Sequence, residues 1–216
     1  MGKLFYKELK LVISPATYFF VLCSALLLIP QYPYVIGVSY CLFGILITFG
    51  VARANNDHEF TAMLPVSRAQ VVESRILSVV YTQLLQLLLA VPFALISSLV
   101  INTNGNPVGM DANFAFFGFV LIGYSVFNII FLPWYFKSGY KTGFPMAFGM
   151  AGYILTMLVF EIVVALVPFL RNNIDGVNPS NAIYQIIVLV AGILIYCITL
   201  LIAQKRSVKN FEKVSL

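Results

Sequence analysis

Six long stretches of the chain carry almost no charge: 16–30, 34–51, 77–101, 114–134, 144–169 and 182–203. A helix needs roughly 20 apolar residues to cross a hydrocarbon core about 30 Å thick. The polar connections are short, so the pattern predicts an all-α, polytopic integral membrane protein with six transmembrane helices. The first stretch is short and follows an amphipathic lead-in at 3–13. There Lys3, Lys7 and Lys10 recur at i, i+4 and i+7, while Phe5, Leu9 and Val12 occupy another face. Such a helix lies in the membrane interface, apolar side down and lysines toward anionic headgroups. A plain lead into the first span is the alternative. Ser14-Pro15 then breaks the helix before the chain turns into the bilayer.

Composition agrees. Hydrophobic residues fill 61% of the 216 positions and charged residues 10%, with mean hydropathy +0.95. A soluble domain runs roughly 45–50% apolar and about 25% charged, so a water-soluble globule is excluded. Residues 1–216 read as one transmembrane domain with no room for a second. Any nucleotide-hydrolysing domain is therefore expected on another polypeptide. Cys23, Cys41 and Cys197 all fall inside apolar stretches and read as small core residues. With five further stretches behind it, the first reads as a retained span rather than a signal peptide.

The net charge of +5 would suggest nucleic acid in a soluble chain; here its distribution is topological, and no nucleic-acid partner is expected. The N-terminus, the 52–76 loop, the 135–143 loop and the C-terminus hold 3, 3, 2 and 4 Lys/Arg, together 12. The connections at 31–33, 102–113 and 170–181 hold 0, 0 and 1. Loops rich in Lys/Arg stay in the cytoplasm, so both termini are expected there and the number of spans is even. Tyr32, Tyr34, Trp134, Tyr135, Tyr140 and Tyr184 lie near span ends, where amphipathic rings settle.

Catalytic chemistry is nearly absent from the sequence. It contains no G-x-x-x-x-G-K-[ST] phosphate loop, and no enzymatic role is expected. His58, the only histidine, has no second His or Cys nearby for a metal and reads as a solvated loop residue. The informative segment is 52–76, the longest polar one, in which Arg53, Arg68 and Arg75 balance Asp57, Glu59 and Glu73. Asp57 to Leu64 fits two turns of helix stopped by Pro65, and Ser67 is placed to cap a second helix starting near Arg68. A short helix parallel to the membrane suits docking of a cytosolic partner; a plain connecting loop is the alternative.

At this segment the sequence resembles a known family. The run DHEFTAMLPVSRAQVVESRIL, 57–77, is similar to the loop between spans 2 and 3 of ABC type-2 exporter permeases. The shared pattern is acidic residues, a hydrophobic residue, Leu-Pro-Val-Ser-Arg, two spacers, a Val-Val pair and a basic residue. Asp57, Glu59, Phe60, Leu64, Pro65, Val66, Ser67, Arg68, Val71, Val72 and Arg75 supply it. KLFYKELKLV near the start and FLPWYFKSGYKTG before span 5 also resemble this group, and the small permeases of bacterial phenol-soluble-modulin exporters look similar. The resemblance implies a coupling helix seated in a groove of a separate cytosolic ATPase subunit, which carries ATP and Mg; no cofactor is implied on this chain. Phe60, Met63 and Leu64 would then be apolar anchors before Pro65, with Asp57, Glu59 and Arg68 as polar partners. It also implies a second permease copy, identical or related, a bacterial plasma membrane, and an amphipathic cytolytic or antimicrobial-type peptide, or a hydrophobic compound, as cargo.

Polar residues within the spans complete the reading. Glu161, the one ionisable residue well inside a stretch, either faces an export cavity or leans toward outer headgroups. Gln83 and Gln86 share a face of span 3, and Ser125 and Asn128 a face of span 4; each pair either bonds neighbouring helices or touches cargo. Gly143, Ala147 and Ala151 recur every four residues, a spacing that lets helices approach closely. Two other function classes compete: an ATPase-independent secondary carrier or channel, and a non-transporting membrane subunit that sequesters a toxin. A carrier normally shows paired intramembrane charges or broken helices at the midplane, and the lone Glu161 argues against it.

Overall fold

The computed structural model describes residues 2–101, 105–176 and 181–214, without the side chains of His58 and Ala62. The described residues form nine helices in chain order: α1 Gly2–Val12, α2 Pro15–Leu28, α3 Tyr34–Ala54, α4 Asp57–Ala62 and α5 Arg68–Ile101. They continue with α6 Phe114–Lys137, α7 Gly143–Leu166, α8 Pro168–Asn173 and α9 Ala182–Phe211. Five of these, α3, α5, α6, α7 and α9, are long and apolar enough to cross a membrane. The pair α1–α2, bent by 82° at its break, passes the same test only as one broken span.

The break falls at Ser14-Pro15, as the sequence reading expects. Pro15 lacks the N–H that would continue α1, and it is preorganised for the first turn of a new helix. Thr17 next to it donates to the Gly44 carbonyl at 2.9 Å and shares a hydrogen bond with Thr48 at 2.8 Å, which fixes the bend against α3. The starts of two long helices are capped. Ser67 Oγ accepts from the Gln70 amide while Gln70 Oε1 accepts from the Ser67 amide, a capping box for α5. Asn113 Oδ1 accepts from the Phe116 amide at the head of α6.

Three boundaries differ from expectation. α4 ends at Ala62, not Leu64, because Leu64 precedes Pro65 and is steered away from helical backbone. The fifth stretch stops at Leu166, and Pro168 starts the short α8 in its place. α5 and α9 run well past the apolar stretches, at 34 and 30 residues. At 1.5 Å per residue they are about 51 Å and 45 Å long, and both overshoot at the end of the bundle that carries most of the Lys and Arg, the basic end.

α6 is the axis of the molecule and the most buried of the long helices. It lies along α9 and α7 and packs through Tyr124, Phe127, Phe131 and Tyr135, all fully buried. Its closest approach is backbone to backbone. A Cβ added at Gly192 would lie 2.5 Å from the Gly118 carbonyl oxygen, and one at Gly118 would lie 2.6 Å from that of Val188. The stripe Gly143, Ala147 and Ala151 makes no comparable contact within the protomer. Those residues are exposed, and a Cβ at Gly143 would meet nothing within 4 Å.

Gly192→Ala is expected to destabilise the bundle by about 1–3 kcal/mol through overpacking against fixed backbone. Gly143→Ala is expected to leave stability unchanged or slightly raised. Thermal unfolding of the two detergent-solubilised variants, followed by size-exclusion chromatography, reads the contrast.

Candidate functional site

The basic end is organised around four charged side chains from three elements. α3 ends at Ala54, and Asn56 takes a left-handed conformation (φ 50°) that reverses the chain into α4. Asparagine tolerates that region better than most residues. The reversal turns Asp57, the first residue of α4, toward α1 and the first turns of α5. Asp57 Oδ1 lies 2.6 Å from Lys7 Nζ, and Asp57 Oδ2 accepts from Arg75 Nη2. Glu8 Oε2 lies 3.2 Å from Arg75 Nε, an ion pair without a hydrogen bond, and Glu8 Oε1 lies 3.4 Å from Lys7 Nζ. Lys7 Nζ also donates to Thr61 Oγ1 at 2.7 Å, and Thr61 Oγ1 donates to the Asp57 carbonyl at 2.7 Å.

The ring of alternating signs is closed and shielded from water. Arg75 is 3% exposed and Glu8 2%. Burial raises the cost of every charged form, so each charge needs a partner. For Glu8 the burial dominates and holds its carboxyl above the usual range, although Arg75 and Lys7 pull it down. For Asp57 burial also pushes upward, but the adjoining Arg75 and Lys7 outweigh it and hold the carboxyl below the usual range. The guanidinium of Arg75 additionally lies over the Phe49 ring, 5.5 Å from its centroid.

The expected docking residues therefore divide into two groups. Glu59, Phe60 and Met63 face outward, Phe60 53% and Met63 82% exposed, with Pro65 exposed and Leu64 half-buried. Asp57 points inward to Lys7 and Arg75. Arg68 is also engaged within the chain: Nη1 donates to the carbonyls of Phe211, Glu212 and Val214 at 3.1, 2.9 and 3.1 Å, capping the end of α9. The lysines of α1 divide likewise. Lys7 is drawn into the charge ring instead of facing headgroups, whereas Lys10 donates to Tyr6 on the exposed side. An aromatic column joins the two arginines, with Phe49 against Tyr135 at 4.7 Å, Tyr135 against Tyr140 at 5.5 Å and Tyr140 against Phe211 at 5.5 Å. Arg75 lies over Phe49 at one end of the column and Arg68 over Phe211 at the other.

The residues considered for a transport pathway are tied up in structure. Gln83 and Asn128 exchange amide hydrogen bonds at 3.0 and 2.9 Å, and Tyr196 donates to Gln83 Oε1 at 2.7 Å, linking α5, α6 and α9. Gln86 donates to the Gly37 carbonyl on α3. Ser125 bonds within α6, to the Leu121 carbonyl, and so does not join helices as expected. Glu161 accepts from the Met110 amide at 3.2 Å and tethers the 105–113 segment at the end opposite the charge ring. No group of His, Cys, Asp and Glu among the described residues has the arrangement of a metal site.

Lys7, Glu8 and Arg75 are the site residues that sequence reasoning missed. The signal was present: Glu8 is the lone acid in a basic amphipathic helix, and Arg75 sits at the threshold of an uncharged span.

The class is thus a helical membrane protein whose charges form a structural joint at one end, with an exposed apolar knob beside it. The sequence profile of the ABC-2 family transporter proteins matches residues 3–211, and the chain belongs to that family. Membership makes it a membrane subunit of an ABC exporter, a class that works with an ABC ATPase. No curated protein and no solved structure matches the chain.

Asp57→Asn leaves Lys7 and Arg75 facing Glu8 alone in a buried site. The expected loss is about 3 kcal/mol, seen as a lower unfolding temperature in detergent. Glu59→Gln, on the exposed side of the same helix, is expected to change stability by less than about 0.5 kcal/mol.

Proposed function

We propose that this chain is the permease of a bacterial plasma-membrane ABC exporter, with α4 as its coupling helix seated in a groove of the cytosolic ATPase subunit. The observation that carries this reading is the outward pair Phe60, on α4, and Met63, which caps its end, beside an inner side locked to the rest of the protein. Two large apolar side chains held out on a rigid mount suit a docking groove, where a few buried anchors supply most of the affinity. ATP and Mg belong to the partner. Closure of two ATPase subunits would then move two permeases, whether identical or related.

In this reading the bent pair α1–α2 makes the first of six crossings, with α1 along the cytoplasmic interface, and both termini are cytoplasmic. The 12-to-1 division of Lys and Arg supports that orientation. The cargo is an amphipathic cytolytic or antimicrobial-type peptide or a hydrophobic compound. The peptide rests on resemblance alone, to the small permeases of phenol-soluble-modulin exporters; the hydrophobic compound is the alternative within the same reading.

Co-purification with an ABC ATPase, followed by cargo-stimulated ATP hydrolysis in proteoliposomes, tests the reading. Phe60→Ala with Met63→Ala is expected to weaken ATPase association about thirtyfold, the equivalent of roughly 2 kcal/mol, and to abolish stimulation while the protein still inserts and folds. Wild-type association by the double variant would remove α4 as the coupling element, and failure of the wild-type protein to bind any ABC ATPase would favour an ATPase-independent carrier. For the orientation, a cysteine at Asn173 is expected to react with an impermeant thiol reagent added to intact cells, and one at Asn56 to stay unlabelled. The reverse pattern would invert the protein in the membrane.

A further inference from the structure

We propose that the protruding end of α9 is the second half of the ATPase docking face, a basic flank beside Phe60 and Met63, and that the partner's groove is correspondingly rimmed by acidic residues. This rests on the coupling-helix reading above.

Three observations carry it. The first is length. The uncharged run of α9 ends at Ala203, and residues 204–211 continue as helix for about 12 Å. The headgroup layer on one side is about 5–7 Å deep, and a tilt near 20° shortens the projection by under 1 Å. The last turn of α9 therefore stands beyond the headgroups, in reach of a protein.

The second observation is charge. Lys205, Arg206, Lys209 and Lys213 are all exposed, and Glu212 is the only acid among residues 204–214, so four cations less one anion leave +3. Lys137 and Lys141, exposed on the neighbouring α6–α7 connection, have the same sign. Glu59 is the exposed acid on α4.

The third is fixation. Ser207 and Phe211, on the opposite face of this turn, are buried; Phe211 packs on Phe136 and Tyr140, and Asn210 donates to the Pro133 carbonyl at 2.8 Å. Arg68 binds the carbonyls of Phe211, Glu212 and Val214 and so ties this end to the loop that carries α4. Arg68 follows Met63 by five residues, a reach of at most about 18 Å. Arg68 thus links the segment that carries the apolar knob to the end of α9 that carries the cations.

Exposed charges at the rim of an interface act mainly through association rate and salt dependence. The test measures affinity of the co-purified ATPase for the full-length permease in nanodiscs, at about 0.05 M and 1 M salt. Neutral nanodiscs hold phosphatidylcholine alone; anionic ones add phosphatidylglycerol. Lys209→Glu with Lys213→Glu is expected to weaken binding about tenfold at low salt in both nanodiscs, and Lys209→Gln with Lys213→Gln by less. The loss should vanish at 1 M salt, where the screening length is about 3 Å. Phe60→Ala with Met63→Ala should lose affinity at both salts.

Unchanged affinity of the charge-reversed protein at low salt, or a loss that persists at 1 M, overturns the basic flank. A loss confined to anionic nanodiscs assigns the lysines to headgroups and also overturns it. If the wild-type permease binds no ATPase at any salt, the coupling reading falls and takes this inference with it.

Discussion

Water is scarce where the chain turns from bilayer to polar loop, and a charge placed there must find its partner in the protein. That constraint organises the basic end. Arg75 stands in α5 just before its uncharged stretch, nearly sealed from solvent. It is tolerable because Asp57 and Glu8 reach it from two other elements, with Lys7 closing the set. Each of the four side chains is expensive alone, and together they are compensated. The result is a joint that holds α1, α4 and α5 in one arrangement, because separating any pair would strand a buried charge.

The joint rests on an apolar scaffold with a different logic. α6 carries no strong polar/apolar division because its neighbours cover nearly every face, and it meets α9 where two glycines let the backbones touch. The aromatic column from Phe49 on α3 through Tyr135 on α6 and Tyr140 to Phe211 on α9 connects this scaffold to the charge ring and to the end of α9. Stability and presentation are therefore separated. Side chains facing inward at the basic end hold the elements together, while Met63 and Phe60, the latter with Lys7 over its ring, stay exposed at the surface.

Much of this was legible in the sequence. Uncharged stretches marked the long helices, Ser14-Pro15 marked the bend, and Ser67 marked the start of α5, because each depends on local chemistry. The limits of α4 and α7 were missed by two or three residues where a proline acts on its neighbours. The split among 57–68 was not legible: Asp57 and Arg68 look as exposed as Glu59 in a polar loop. Their partners lie at residues 7, 75 and 211–214, and only the folded chain brings those together. Similarly, Gly118 and Gly192 belong to no four-residue repeat of small residues, whereas the regular Gly143, Ala147 and Ala151 stripe suggested a contact that the protomer does not make. Gln83 and Asn128 were recognisable as polar groups in need of partners, but not as partners of each other.

The charge ring has one electrical consequence. Moving a single elementary charge through a membrane potential of 100 mV involves roughly 2.3 kcal/mol. Lys7 and Arg75 with ionised Glu8 and Asp57 sum to zero, and a body with no net charge exchanges almost no work with a transverse field when it shifts along the membrane normal. The four ring charges thus add almost nothing to the work that α1, α4 and the base of α5 exchange with the membrane voltage when they shift as one unit.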